Sequence, residues 1–237
     1  MRSSIIAKHL ANVALVVSLA LLGLVDFTAP TFVRLAIFTV RTTDPALYNG
    51  AWPTVSYGTF GYCVEVGADF TTTKGRALKP GFAICTKRSV GYDASSDVND
   101  IYGYRVSPID DEVAHKTSQL TSILVLLPIA TLACAGGLGL GLWSLWRPSI
   151  RKTVTIAVIA CVTFAMTVVS TVCAFTAFHD IQLALGEDDG MTTGQFDYGM
   201  AALVAASVFL FLGTALPIIS SILARREEGV QYGAIDK

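Results

Sequence analysis

The sequence predicts an all-α membrane bundle of four helices that carries a small extracellular antiparallel β-sheet. Three observations predict it. Of 237 residues, 53% are hydrophobic and only 15% charged, against roughly 45–50% and about 25% in soluble domains. Three windows, Leu120–Trp143, Thr153–Phe178 and Tyr198–Ala224, run for 24, 26 and 27 residues without one Asp, Glu, Lys or Arg. About 20 such residues cross the hydrocarbon core of a bilayer. Between the first apolar run and the second lies a segment of ordinary polarity with strand-like runs and two cysteines. Together these features exclude a soluble enzyme, a disordered chain and a nucleic-acid-binding protein.

The first span, about residues 9–29, is the shortest. Leu10–Val25 gives 16 uncharged residues behind Arg2 and Lys8, and it reaches spanning length when Asp26 to Ala29 lie at the headgroups. The competing reading is a signal peptide cleaved near Ala29, although no A-x-A pattern ends the run. Either way, the residues that follow stay on the same side. The other spans fall at about 120–143, 153–178 and 198–224, and the whole chain, 1–237, reads as one domain.

Charge orients these spans. The two termini and the connection around Arg147, Arg151 and Lys152 hold eight Lys and Arg against three acids. Residues 26–119 hold nine bases and ten acids, and the short segment 179–197 holds five acids and no base. Lys and Arg concentrate in the short loops of the cytoplasmic side. The expected topology is therefore multi-pass in the plasma membrane, with both termini cytoplasmic, residues 30–118 outside, a second outer loop at 179–197 and a short cytoplasmic tail at 225–237.

Small residues recur along the spans. Gly137 and Gly141 form G-x-x-x-G in the second, and Ala157, Cys161 and Ala165 recur at every fourth position of the third. In the fourth, Ala201 pairs with Ala205 and Ala202 with Ala206. Close backbone approach drives helix association in lipid, so these faces are expected to pack within one chain; dimerisation through Gly137 and Gly141 is the alternative. Pro128 and Pro217 lie inside spans and are expected to kink them.

Residues 30–118 are too long for a plain loop. Phe32–Val40, Val55–Val66 and Phe82–Thr86 are strand-like runs, and the polar stretch Gly67–Gly81 reads as a hairpin loop. Of five cysteines, Cys134, Cys161 and Cys173 lie in spans, where free Cys behaves as a small apolar residue. Cys63 and Cys85 alone lie outside, where an oxidising compartment favours a disulfide; the alternative is two free thiols. Their spacing does not fit a CxxC metal or redox site.

His9, His115 and His179 fall at separate membrane boundaries, so no metal set is expected. His115 stands near Asp110, Asp111 and Glu112, where a solvated interfacial histidine is favoured over a pH-responsive one. Asp26 lies at the outer interface, within sequence reach of Arg34. No P-loop, dinucleotide-binding turn, nucleophile elbow or zinc-protease motif occurs. No catalytic residue, cofactor or small-molecule substrate is expected. The expected partners are the lipid bilayer and other membrane proteins, a second copy included, and not nucleic acid.

Gly58-Thr59-Phe60-Gly61-Tyr62-Cys63, preceded by Trp52 and followed by a second Cys, resembles the signature of claudin-like proteins. Phe60 stands where animal claudins carry Trp, and the gap between the cysteines is longer. The chain more closely resembles the fungal SUR7/PalI family, through Phe60-Gly61-Tyr62-Cys63 and then Cys85 followed by Val90-Gly91-Tyr92-Asp93. The opening of the second span, Leu120–Ala130, also resembles PalI-type members. The resemblance covers about residues 5–225. It implies a claudin-like fold in a fungal plasma-membrane protein without catalytic activity, which either organises cortical membrane compartments or assists ambient-pH sensing. It makes Trp52, Gly58, Phe60, Gly61, Tyr62, Gly91, Tyr92 and Asp93 the structural motif. Trp52, Phe60 and Tyr62 are expected to anchor the sheet on the helix ends. PalI-type proteins often carry a long tail, so Arg225–Lys237 points to assembly through the spans and the outer sheet. The alternatives are claudin-type adhesion or barrier formation through Gly67–Gly81, and a channel or transporter subunit, which the uncharged spans disfavour.

Overall fold

The computed structural model describes residues 2–32, 35–42, 53–71, 75, 77–81, 83–92, 111–146, 150–186 and 192–235. Trp52, Asp93, Arg34 and Asp110 lie outside the described residues. Among the described residues, four helical segments are long and apolar enough to cross a membrane, with candidate spans His9–Asp26, His115–Ser144, Val154–Leu185 and Tyr198–Ile219. Helix α1 is Arg2–Asp26. The second span is carried by α2 (Asp111–Ser122), a 3-10 turn at Ile123–Val125 and α3 (Leu126–Trp146). Helix α4 is Ile150–Gly186 and α5 is Tyr198–Ile235.

The helices outrun the apolar windows. At 1.5 Å per residue, the 37 residues of α4 reach about 56 Å, well beyond the hydrocarbon thickness of about 30 Å. The 3-10 turn has a local cause. Pro128 has no amide hydrogen, so the Leu124 carbonyl four residues earlier loses its α-helical donor, and the turn tightens.

Strands β1 (Phe38–Thr42), β2 (Thr54–Tyr57), β3 (Tyr62–Glu65), β6 (Ile84–Cys85) and β7 (Thr192–Phe196) form one antiparallel sheet in the order β6-β3-β2-β1-β7. β4 (Phe70–Thr71) and β5 (Ala77–Leu78) form a separate two-stranded ribbon within the stretch read as a hairpin loop. Val55–Val66 is expected as one run, but the turn Gly58–Gly61 divides it into β2 and β3, closed by the Gly58 amide on the Gly61 carbonyl at 2.8 Å. The segment 179–197, expected as a loop, supplies β7 and the last turns of α4.

The chain divides into two compact units. The helical unit comprises Met1–Gly23, Pro128–Val168 and Val204–Lys237. Its core includes Leu15, Leu22, Ala130, Cys134, Ala160, Ala206 and Leu210. Polar side chains in this core satisfy themselves on backbone carbonyls. The Ser18 hydroxyl donates to Ala14 O at 2.9 Å, and Thr163 and Thr167 donate to the carbonyls of Ile159 and Thr163 at 2.8 Å each.

The small-residue repeats differ in burial. Gly137 and Gly141 are buried, and added β-carbons would stand 3.3 Å from Ile159 of α4 and 2.8 Å from the Asn12 amide oxygen of α1. Cys161 and Ala165, by contrast, are exposed, Ala157 is half-buried, and the buried stripe of α4 runs one position away through Ala160, Thr163 and Thr167. In α5 Ala201 is exposed and Ala205 half-buried, while Ala206 and Leu210 are buried. A lipid-facing surface is as apolar as a protein-facing one, so small size alone does not select the packed face.

The sheet unit comprises Leu24–Leu127 and Val169–Leu203. Phe38, Tyr57 and Phe178 are fully buried at its centre. The Phe38 ring stacks on Phe178 with centroids 5.0 Å apart and meets the Phe196 edge at 5.5 Å. Tyr57 lies 5.8 Å from Phe178. Strands β1, β2 and β7 and helix α4 thus share one aromatic core, supported by the burial of Ile181 and Leu185 on the added turns of α4.

Candidate functional site

The residues of the cysteine motif converge where the sheet meets the end of α1. An α-helix leaves its last carbonyls without intrahelical partners. Here two threonines serve the end of α1. Thr28 and Thr59 both donate side-chain hydroxyls to the Val25 carbonyl, at 2.7 and 2.8 Å, and their hydroxyls lie 3.1 Å apart. The Thr59 amide in turn donates to the Thr28 hydroxyl at 3.0 Å. This fit requires glycine beside it. Gly58 packs so closely on Ala29 that an added β-carbon would overlap the Ala29 backbone.

The second half of the motif closes over the first. The Tyr92 hydroxyl donates to the Gly58 carbonyl at 2.7 Å, while its ring stacks nearly parallel on Tyr57 and leans on Tyr62, with centroids 6.2 and 6.4 Å away. Gly91 adopts φ +66°, a left-handed conformation that favours glycine, against Ser118 and Ser122 of α2. Ser118 donates to the Gly91 carbonyl at 3.1 Å and Thr121 to the Tyr92 carbonyl at 3.3 Å. Tyr92 therefore joins the β2–β3 turn to the second span.

Cys63 and Cys85 form a disulfide between β3 and β6, where they are direct partners in the register. The Thr86 amide on Tyr62 O at 3.0 Å and the Ser89 amide on Phe60 O at 2.9 Å continue this tie. Of the aromatic residues expected to anchor the sheet, Tyr62 joins the ring cluster and Phe60 is half-buried. Gly61 is buried, and a β-carbon there would stand 2.6 Å from the Thr86 hydroxyl.

Several fastening residues are not singled out by the sequence reading. Asp197 caps α5: its carboxylate accepts from the Tyr198 amide at 2.7 Å and from the Thr39 hydroxyl of β1 at 3.2 Å. An Asp immediately before an apolar run is a recognisable helix start. Lys116 of α2 pairs with Asp180 of α4 at 2.6 Å. Thr59 carries no comparable signal, because its partner is a backbone carbonyl 34 residues away in the chain.

His115 is exposed, with its Nε2 3.0 Å from the Gln119 side-chain amide, and His179 stacks on Phe175 at 5.6 Å. Among the described residues, no group of three His, Cys, Asp or Glu is placed to hold a metal.

This arrangement predicts a specific cost. Thr59→Val keeps the shape but removes the hydroxyl that serves Val25 and Thr28. Loss of a buried hydrogen-bond partner is expected to destabilise the chain by about 1–3 kcal/mol, read as a lowered thermal midpoint in detergent. Thr59→Ser restores most of that loss; equal midpoints for the valine and serine variants would contradict the assignment.

The family model for the SUR7/PalI family matches residues 4–222. A search of the curated proteins finds no match.

Proposed function

This chain belongs to the SUR7/PalI family of membrane proteins, and on that footing we propose that it is a non-catalytic scaffold of a cortical plasma-membrane compartment. It is a multi-pass protein whose four apolar helical segments place it in a bilayer. The observation that carries the proposal is the use of both halves of the cysteine motif as fasteners. Thr59, Gly58 and Tyr92 make polar contacts to α1, to each other and to α2. Such a motif holds a sheet rigidly against the helix ends and presents it for lateral contact.

In this reading both termini are cytoplasmic, as the excess of Lys and Arg in the short connections favours. The sheet then lies outside, where a disulfide between Cys63 and Cys85 persists. Assistance to an ambient-pH sensing complex is the second form of the same scaffold role, supported by the PalI branch of the family.

A fluorescently tagged full chain tests the proposal. Compartment scaffolding predicts patches at the cell cortex that recover slowly after photobleaching. Poor growth of the deletion strain at alkaline pH, with evenly distributed fluorescence, selects the pH-sensing form. Even distribution with normal alkaline growth overturns both. Aggregation of cells on heterologous expression would instead favour adhesion through the sheet.

A further inference from the structure

We propose that the end of the first span carries a docking site for an anionic lipid headgroup, built from Arg88, Lys87, Phe27 and Phe32. The candidate span ends at Asp26, so the residues that follow sit at the boundary between hydrocarbon and headgroups. There Phe27 and Phe32 form an edge-to-face pair with centroids 6.5 Å apart, and each remains more than half exposed, at 54% and 53%. Two large apolar rings left open at this depth suit the interfacial layer, where aromatic side chains concentrate.

A fixed cation stands beside the pair. The Arg88 guanidinium donates one hydrogen bond, from Nη2 to the Thr31 hydroxyl at 2.6 Å, which brings it next to Phe32 in the chain. A guanidinium has five N–H donors in a planar fork matched to phosphate oxygens. One contact to Thr31 aims the fork and leaves donors for a ligand. Arg88 is exposed, and Lys87 beside it is exposed and adds a second positive charge. Asp26, next to Phe27 in the chain, is half-buried, and the exposed groups named here are two cations and two aromatic rings. That pairing selects an amphiphile: phosphate for the fork, glycerol backbone and acyl chains for the rings. The site belongs to the headgroup layer on the sheet's side of the membrane, and it does not depend on the scaffold reading.

Native mass spectrometry of the full chain in detergent, titrated with phosphatidic acid, tests the proposal. The wild-type chain is expected to retain the lipid, and Arg88→Ala to bind it about tenfold more weakly, the equivalent of one charge-assisted hydrogen-bond contact. Thr31→Val, which only frees the fork, should give a smaller loss. Phe27→Ser with Phe32→Ser should weaken phosphatidic acid without creating affinity for inorganic phosphate. An intact disulfide and unchanged helical circular dichroism show that each variant is folded. Unchanged retention by folded Arg88→Ala overturns the proposal. So does equal competition by inorganic phosphate, which would mark an anion site indifferent to the membrane.

Discussion

Phe38→Ala is expected to destabilise the sheet unit by about 3–5 kcal/mol, the range for removing a large buried aromatic. Phe38 is fully buried, and its ring touches Tyr57 of β2, Phe178 of α4 and Phe196 of β7. Its loss opens a cavity that the disulfide at the far edge, on β6, cannot close. The check is thermal unfolding of the purified full chain in mild detergent, with near-ultraviolet circular dichroism reporting the aromatic cluster. Phe38→Leu should retain part of the stability. A loss below about 1 kcal/mol for the alanine variant would show that the sheet is held mainly by its hydrogen bonds.

Removing the disulfide is the second large effect. Cys63 and Cys85 are separated by 22 positions, and closing such a loop stabilises a fold by about 3 kcal/mol in the chain-entropy account. The local need is unusually direct. β6 has two residues and pairs with β3 through Cys63↔Cys85 and Val64↔Ile84. Without the bond, the segment leading to Gly91 and Tyr92 is held to β3 and its turn by a few backbone hydrogen bonds and by the hydroxyls of Thr86 and Tyr92. Cys63→Ala with Cys85→Ala is therefore expected to lower the thermal midpoint and to raise protease sensitivity between β5 and α2. A shift between oxidised and reduced wild-type chain on gels verifies the bond. Matching protease patterns for wild-type and double-alanine chains would mean that Tyr92 alone suffices to seat the segment.

Much of this architecture was legible because charge is so costly in hydrocarbon. The three charge-free windows each fall on a helical span, the first of them broken by the 3-10 turn, and the two cysteines outside them are bonded. β7 was not legible. Thr192-Thr193-Gly194-Gln195-Phe196 has no apolar alternation, and its glycine reads as a turn. Gly194 is in a strand because the Phe38 ring lies over it: an added β-carbon would stand 2.5 Å from the ring. The requirement arises from a partner more than 150 positions away, so no local pattern expresses it. Helix ends beyond the membrane were hidden for a related reason. Asp111–Gln119 is polar, and Phe178–Leu185 is interrupted by charge, yet both are helical and meet tertiary partners, Ser118 at Gly91 and Phe178 at Phe38. Of the motif, the cysteines and Tyr62 announced themselves by type. The work of Thr59 and the reach of the Tyr92 hydroxyl to Gly58 depend on how the two halves meet.

The pairing of β1 with β7 also bears on how the chain is made. Thr42 and Thr192 are register partners, separated by 150 positions. At roughly 5–20 residues per second, a ribosome needs about 8–30 s to deliver the second strand after the first. Throughout that interval two further spans must enter the membrane while one edge of β1 and the face of Phe38 stay uncovered. The nascent sheet is therefore a waiting intermediate, and a chain arrested before residue 192 should be a preferred client of chaperones on the sheet's side of the membrane.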